Sequence, residues 1–102
     1  SGRSSGSNGG GVTLNLINQE TSGNIVVDSI SKLTMKLSDG SSFKGEINTL
    51  NEGEVSLTLD TTSSITLTGD SYIKSLTNDD STNSNINLNG YKLYVNGVEL
   101  TK

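Results

Sequence analysis

Three strictly alternating apolar triplets recur along this chain at a nearly fixed interval: Val12-x-Leu14-x-Leu16, Leu33-x-Met35-x-Leu37 and Val55-x-Leu57-x-Leu59. Their central residues stand 21 and then 22 positions apart. Ile86-x-Leu88 reads as a weaker fourth copy behind a polar insertion. Alternation sends every second side chain to one face of a strand. A period of this length, carried by strands, describes a chain that winds into coils, each burying its apolar side only against its neighbours.

Composition supports a thin core. Hydrophobic residues make up 29% and aromatics 4% of the 102 residues, and Ser, Thr, Asn and Gly together exceed half. So polar a mixture often fails to fold. Here the net charge is only −4 and the apolar residues are placed regularly, which argues for many short strands around a narrow interior. Alanine is absent and apolar residues do not recur at helical spacing, so no helix is expected.

Residues 1–11 carry no apolar side chain and read as a flexible Gly/Ser linker. From residue 12 to 102 the pattern divides into about four coils. The first holds Val12, Leu14, Leu16, Ile25, Val27 and Ile30, and the second Leu33, Met35, Leu37, Phe43, Ile47 and Leu50. The third holds Val55, Leu57, Leu59, Ile65, Leu67, Ile73 and Leu76, and the fourth Ile86, Leu88, Leu93, Val95, Val98 and Leu100. Polar clusters such as Asp39-Gly40-Ser41, Thr61-Thr62-Ser63 and Asn89-Gly90 mark corners. Each coil is expected to give one strand to each of three parallel sheets. Strands about 4.8 Å apart make the stack roughly 15 to 20 Å tall. The run from Asn78 to Asn85 breaks the interval and is expected to protrude at the junction of coils three and four.

Leu93 to Leu100 forms two alternating runs around Asn96-Gly97, a dipeptide suited to a two-residue hairpin turn. A hairpin there would cap the C-terminal end of the stack. No comparable device precedes Val12, so the edge Val12–Leu16 is a candidate stacking surface for another solenoid.

Much chemistry is excluded. Histidine, cysteine, proline and tryptophan are absent, which removes histidine-based triads, disulfides and Cys/His metal sites. The single arginine, Arg3, and the acidic balance speak against nucleic-acid binding. No stretch is long and apolar enough for a membrane span, and no signal peptide is evident. No pair of carboxylates stands at a spacing that identifies a glycosidase, so the chain is read as non-enzymatic. Calcium is the cation that its oxygen-rich clusters suit, with Asp60, Asp70, Asp79 and Asp80 as candidate ligands. Lys36, Lys44 and Lys74 fall at outward strand positions and could meet an anionic polymer. Tyr94 should point outward, whereas Tyr72 and Tyr91 flank turns; Tyr72 and Tyr94 are the candidates for stacking on sugars.

Three segments carry a family resemblance. They are Leu37-Ser38-Asp39-Gly40-Ser41-Ser42-Phe43-Lys44-Gly45-Glu46-Ile47-Asn48, the pair Val55–Asp60 with Ile65–Tyr72, and Ile86–Gly97. The chain from about residue 24 to 100 resembles the C-terminal end of a secreted carbohydrate-binding parallel β-helix family of clostridia and related bacteria, which includes a polygalacturonate-binding, cellulosome-associated member. Ile65 stands where that family often has tryptophan. The resemblance implies a right-handed parallel β-helix, secretion or surface display, calcium near the helix, and binding of acidic plant polysaccharide without cleavage. It transfers no calcium ligand residue by residue.

Two functional readings follow. One is a non-catalytic extracellular module for a polygalacturonate-like polysaccharide, assisted by calcium. The other is a structural adhesin or surface-fibre segment that self-assembles by stacking through its first coil.

Overall fold

The computed structural model describes residues 11–27, 29, 31–48 and 51–101. It contains eleven strands and, among the described residues, no helix. The first coil supplies β1 (Gly11–Ile17) and β2 (Glu20–Ile25), and the second β3 (Lys32–Ser38) and β4 (Ser42–Ile47). The third supplies β5 (Glu54–Leu59), β6 (Ser64–Leu67) and β7 (Ser71–Ile73). The fourth supplies β8 (Ser75–Asn78), β9 (Ile86–Asn87) and β10 (Leu93–Val95), and β11 (Val98–Glu99) follows.

These strands form three sheets, ordered β1-β3-β5-β8, β2-β4-β6-β9 and β7-β10-β11. Every pairing is parallel except β10 with β11. The fold is therefore a β-solenoid of about four turns, as the repeat predicts. Register follows the triplets: Leu14 pairs with Met35, Met35 with Leu57 and Leu57 with Leu76. On the second face Thr21, Phe43, Ile65 and Ile86 form the equivalent column. Met35, Val55, Leu59, Leu67 and Ile86 are fully enclosed, and Leu16, Leu37, Phe43, Leu57, Ile65 and Leu93 nearly so. Each such aliphatic residue contributes roughly 1.5–3 kcal/mol by leaving water.

Four expectations need correction. The third face carries strands only in the third and fourth coils among the described residues. In the second coil, Asn48 and Asn51 take left-handed backbone angles (φ 55° each), which breaks an extended run. The Asn48 amide instead donates to the Gly53 carbonyl at 2.9 Å. Second, Leu76 does not end the third coil but opens the fourth, on top of Leu57. Third, Ile86 is not a copy of the first-face triplet; it stacks on Ile65 in the second face. The polar insertion accordingly lies at the first corner of the fourth coil, between β8 and β9, and not at the junction of coils three and four. Finally, Tyr72 occupies the middle of β7 and does not flank a turn. Ile30 and Leu50 lie outside the described residues, as does most of the expected linker; Gly11 already belongs to β1.

The C-terminal hairpin is present. Tyr94 pairs with Glu99 and Val95 with Val98 across Asn96 (φ 51°) and Gly97 (φ 81°), the two positive angles that such a turn requires. Its strand β11 closes the edge of the third sheet only. β8 and β9 remain edge strands of the other two sheets, and β1 and β2 are their edges at the opposite end.

Candidate functional site

The first corner shows how a chain this polar holds its coils together. Side chains there are acceptors and donors for the backbone of the neighbouring coil. The Ser41 hydroxyl accepts from the Gln19 N–H at 3.1 Å and donates to the Leu16 carbonyl at 2.9 Å. Ser63 accepts from the Ser41 N–H at 3.2 Å. Asp60 accepts from the Asp39 N–H at 3.0 Å, and the Thr62 hydroxyl accepts from the Gly40 N–H at 2.8 Å. In the fourth coil, the Asn85 amide donates to the Asp60 and Ser63 carbonyls at 3.1 and 2.9 Å.

This scaffold occupies most of the residues expected to bind calcium. The Asp39 N–H, then the Thr62 hydroxyl, hold the Asp60 carboxyl at a pKa of about 2. The Ser84 hydroxyl, then the Thr82 hydroxyl and N–H, hold Asp80 at about 2 within the insertion. Asp70 sits at a different corner and accepts from the Lys92 N–H at 3.0 Å. Asp79 is exposed at the start of the insertion, its own N–H donating to the Leu59 carbonyl. Among the described residues no three acidic side chains converge as a metal-binding group. Asp60, Asp70, Asp79 and Asp80 are therefore not gathered into one carboxylate cluster.

The candidate ligand-binding residues divide among the faces. Lys36 stands on the outer side of the first sheet, in a column with Asn15, Thr58 and Thr77. Lys44 stands on the second, in a column with Ser22, Thr66 and Asn87. Both are exposed, and neither forms an ion pair with another described residue. Tyr72 and Tyr94 come together on the third face, and Lys74 stands at the corner just past the end of β7. Tyr94 lies directly over Tyr72 in the parallel register, with ring centroids 5.1 Å apart and planes inclined by 8°. Lys74 follows Tyr72 by two positions, is exposed and forms no ion pair with another described residue. Tyr91 is exposed and takes no part in the stack.

Past the end of β7, at the corner between the third and first faces, runs a shallow groove of about 200 Å³. Ile73 and Lys74 line it together with Asn51, Glu54, Asn96 and the neighbouring glycines. Sequence reasoning missed Asn51, Glu54 and Asn96. Glu54 is bridged to Lys32 at 3.9 Å, both side chains being well exposed. An ion pair so wet contributes little stability, but it neutralises the one carboxylate at the groove.

A cause for the groove can be read from the register. Gly23 pairs with Gly45 and Gly45 with Leu67; Thr34 pairs with Ser56 and Ser56 with Ser75. The path from second to first face is thus 11 residues in coil one (Gly23 to Thr34) and 11 in coil two (Gly45 to Ser56), but 8 in coil three (Leu67 to Ser75). Lys74 alone joins β7 to β8, drawn in by its N–H bond to the Val55 carbonyl at 2.7 Å. The missing residues leave a recess between the corner of coil two and the hairpin turn of coil four. A sequence signal existed: the core interval falls from 22 to 19 between Leu57 and Leu76.

The chain matches no protein-family model, no curated protein and no solved structure.

Proposed function

We propose that this chain is a non-catalytic, extracellular binding module for an acidic polysaccharide of the polygalacturonate type. The observation that carries the reading is the stack of Tyr72 on Tyr94 on the third face, with Lys74 at the corner that follows β7. Aromatic rings offer an apolar surface to the C–H side of a sugar, and a free ammonium beside them attracts a uronate carboxylate. The family resemblance of residues 24–100 supports the same ligand class. The sequence holds no histidine or cysteine, which leaves out histidine-based triads and cysteine nucleophiles. Affinity electrophoresis in gels containing polygalacturonate, or in gels containing a neutral galactan, tests the reading. Retardation by the acidic polymer alone, weakening as salt rises, is expected; equal mobility in both gels refutes it.

A second reading, assembly by coil stacking, has one observation in its favour. Among the described residues, the exposed large apolar side chains are Val12, Ile17 and Val26 in the first coil and Tyr91 and Val98 at the last, with none in the middle coils. Apolar surface is thereby concentrated at the two ends of the stack. Light scattering that shows a rise in mass with concentration, abolished by Leu14→Pro, would support assembly; a constant monomer mass would refute it.

A further inference from the structure

We propose that the shortened corner of the third coil is the subsite that selects the ligand, and that the polysaccharide lies there along the solenoid axis. This rests on the acidic-polysaccharide reading and adds where and how the chain is held. The groove takes its walls from three successive coils: Asn51 and Glu54 from the corner of the second coil and the start of the third, Lys74 from the end of the third, and Asn96 from the fourth. With strands about 4.8 Å apart, it extends roughly 10 Å along the axis. A strand-like polymer therefore fits along the stack and not around it.

The tyrosine geometry points the same way. Tyr72 and Tyr94 stack face to face, so they do not form a flat platform. One face of each ring is covered by the other. The remaining face of Tyr94 is turned toward β11, where Glu99 is its register partner. Both tyrosines are half-exposed, so the outer edges of their rings are open to a ligand. A sugar set against those edges reaches Lys74, two positions after Tyr72, which lines the groove together with Asn51 and Asn96. Lys32 already engages Glu54, so Lys74 is the cation left for the uronate carboxylate. Lys36 and Lys44, on the other two faces, have no part in this subsite.

Calorimetric titration of the full chain with polygalacturonate tests the assignment. Four single variants are compared with a chain in which three residues inserted after Lys74 restore the longer corner. Tyr72→Ala and Lys74→Gln should each raise Kd about tenfold, the effect of one good contact. The lengthened corner should abolish binding, while Lys36→Gln and Lys44→Gln should stay within about twofold of the parent, far below one such contact. Lys74→Gln alters no core contact, so it decides the matter even if the lengthened corner does not fold. Loss of affinity in Lys36→Gln or Lys44→Gln, with Lys74→Gln unchanged, overturns the subsite and leaves the binding function standing. Absence of binding by the parent chain overturns both.

Discussion

The carbonyl oxygen of Gly23 occupies the place where a side chain on Gly45 would begin. Gly23 reaches that position with φ of 137°, an angle that disfavours other residues, and the two glycines are register partners in the second sheet. The first coil therefore dips onto the second at this point, and a side chain on Gly45 would meet the ring of Phe43 as well. Gly45→Ala should force β2 away and cost about 3 kcal/mol, as overpacking at backbone does. That corresponds to a fall in Tm of more than about 10 °C in a domain of this size. Gly69→Ala is the comparison: the atoms nearest its new methyl belong to the Glu46 side chain and not to backbone, so it should cost less than Gly45→Ala. Thermal melts of both variants check the difference.

The column Leu14–Met35–Leu57–Leu76 is the inner spine of the first sheet. Leu57 is 1% exposed and lies between two rungs that cannot close over a void without shortening a hydrogen-bonded ladder. Leu57→Ala should destabilise by about 2–5 kcal/mol, the range of buried leucine truncations. Leu14→Ala, at the half-exposed first rung, should cost clearly less. Urea unfolding monitored by circular dichroism would show the ordering, and equal costs would contradict the stacked core.

Acid should loosen the first corner. Asp60 and Asp80 titrate at about 2 in the folded chain, below the roughly 3.9 of an unfolded aspartate. Their stabilising contribution is complete above the unfolded value and disappears as pH falls through the folded one. The parent chain should hold its Tm down to about pH 5 and lose stability between about pH 4 and 2. Its advantage over an Asp60→Asn, Asp80→Asn double variant should be largest near neutrality and gone by about pH 2. An advantage that persisted at that pH would mean that the carboxylates act through shape alone.

Asn85 ties the insertion to the coil beneath it. Its amide donates to the Asp60 and Ser63 carbonyls and to the Asn78 side chain, while Asn78 donates back to Asn83 and Asn85. Asn85→Ala leaves two partly buried carbonyls without this donor and should cost about 1–3 kcal/mol. Limited proteolysis should then cut within residues 79–85 faster than in the parent chain. Unchanged cleavage would show that the loop is held by its own turns.

Most strands, the coil number, most of the inward set and the closing hairpin were legible in the sequence, although Val12 and Val98, counted as inward, are exposed. They depend on local chemistry: period-two alternation fixes which side chains face inward, and Asn96-Gly97 accepts the positive angles of the turn. Even Lys36 and Tyr94 could be placed on outer faces from parity alone. What stayed hidden was relative phase. An apolar pair such as Ile86-x-Leu88 looks the same on any face, and only stacking on Ile65 rather than on Leu57 assigned it. The partners of the aspartates stayed hidden for a related reason. Their spacing said that oxygen was abundant at corners, but only the coil beneath decided that Asp60 would accept the Asp39 N–H. Tertiary structure likewise brought Lys74 beside Asn96 and Asn51, residues remote in the chain, because three residues are missing from one turn. The sequence determines how each residue behaves within its own strand. Which residues meet across rungs depends on the summed length of every corner between them, and that sum becomes visible only when the coils are stacked.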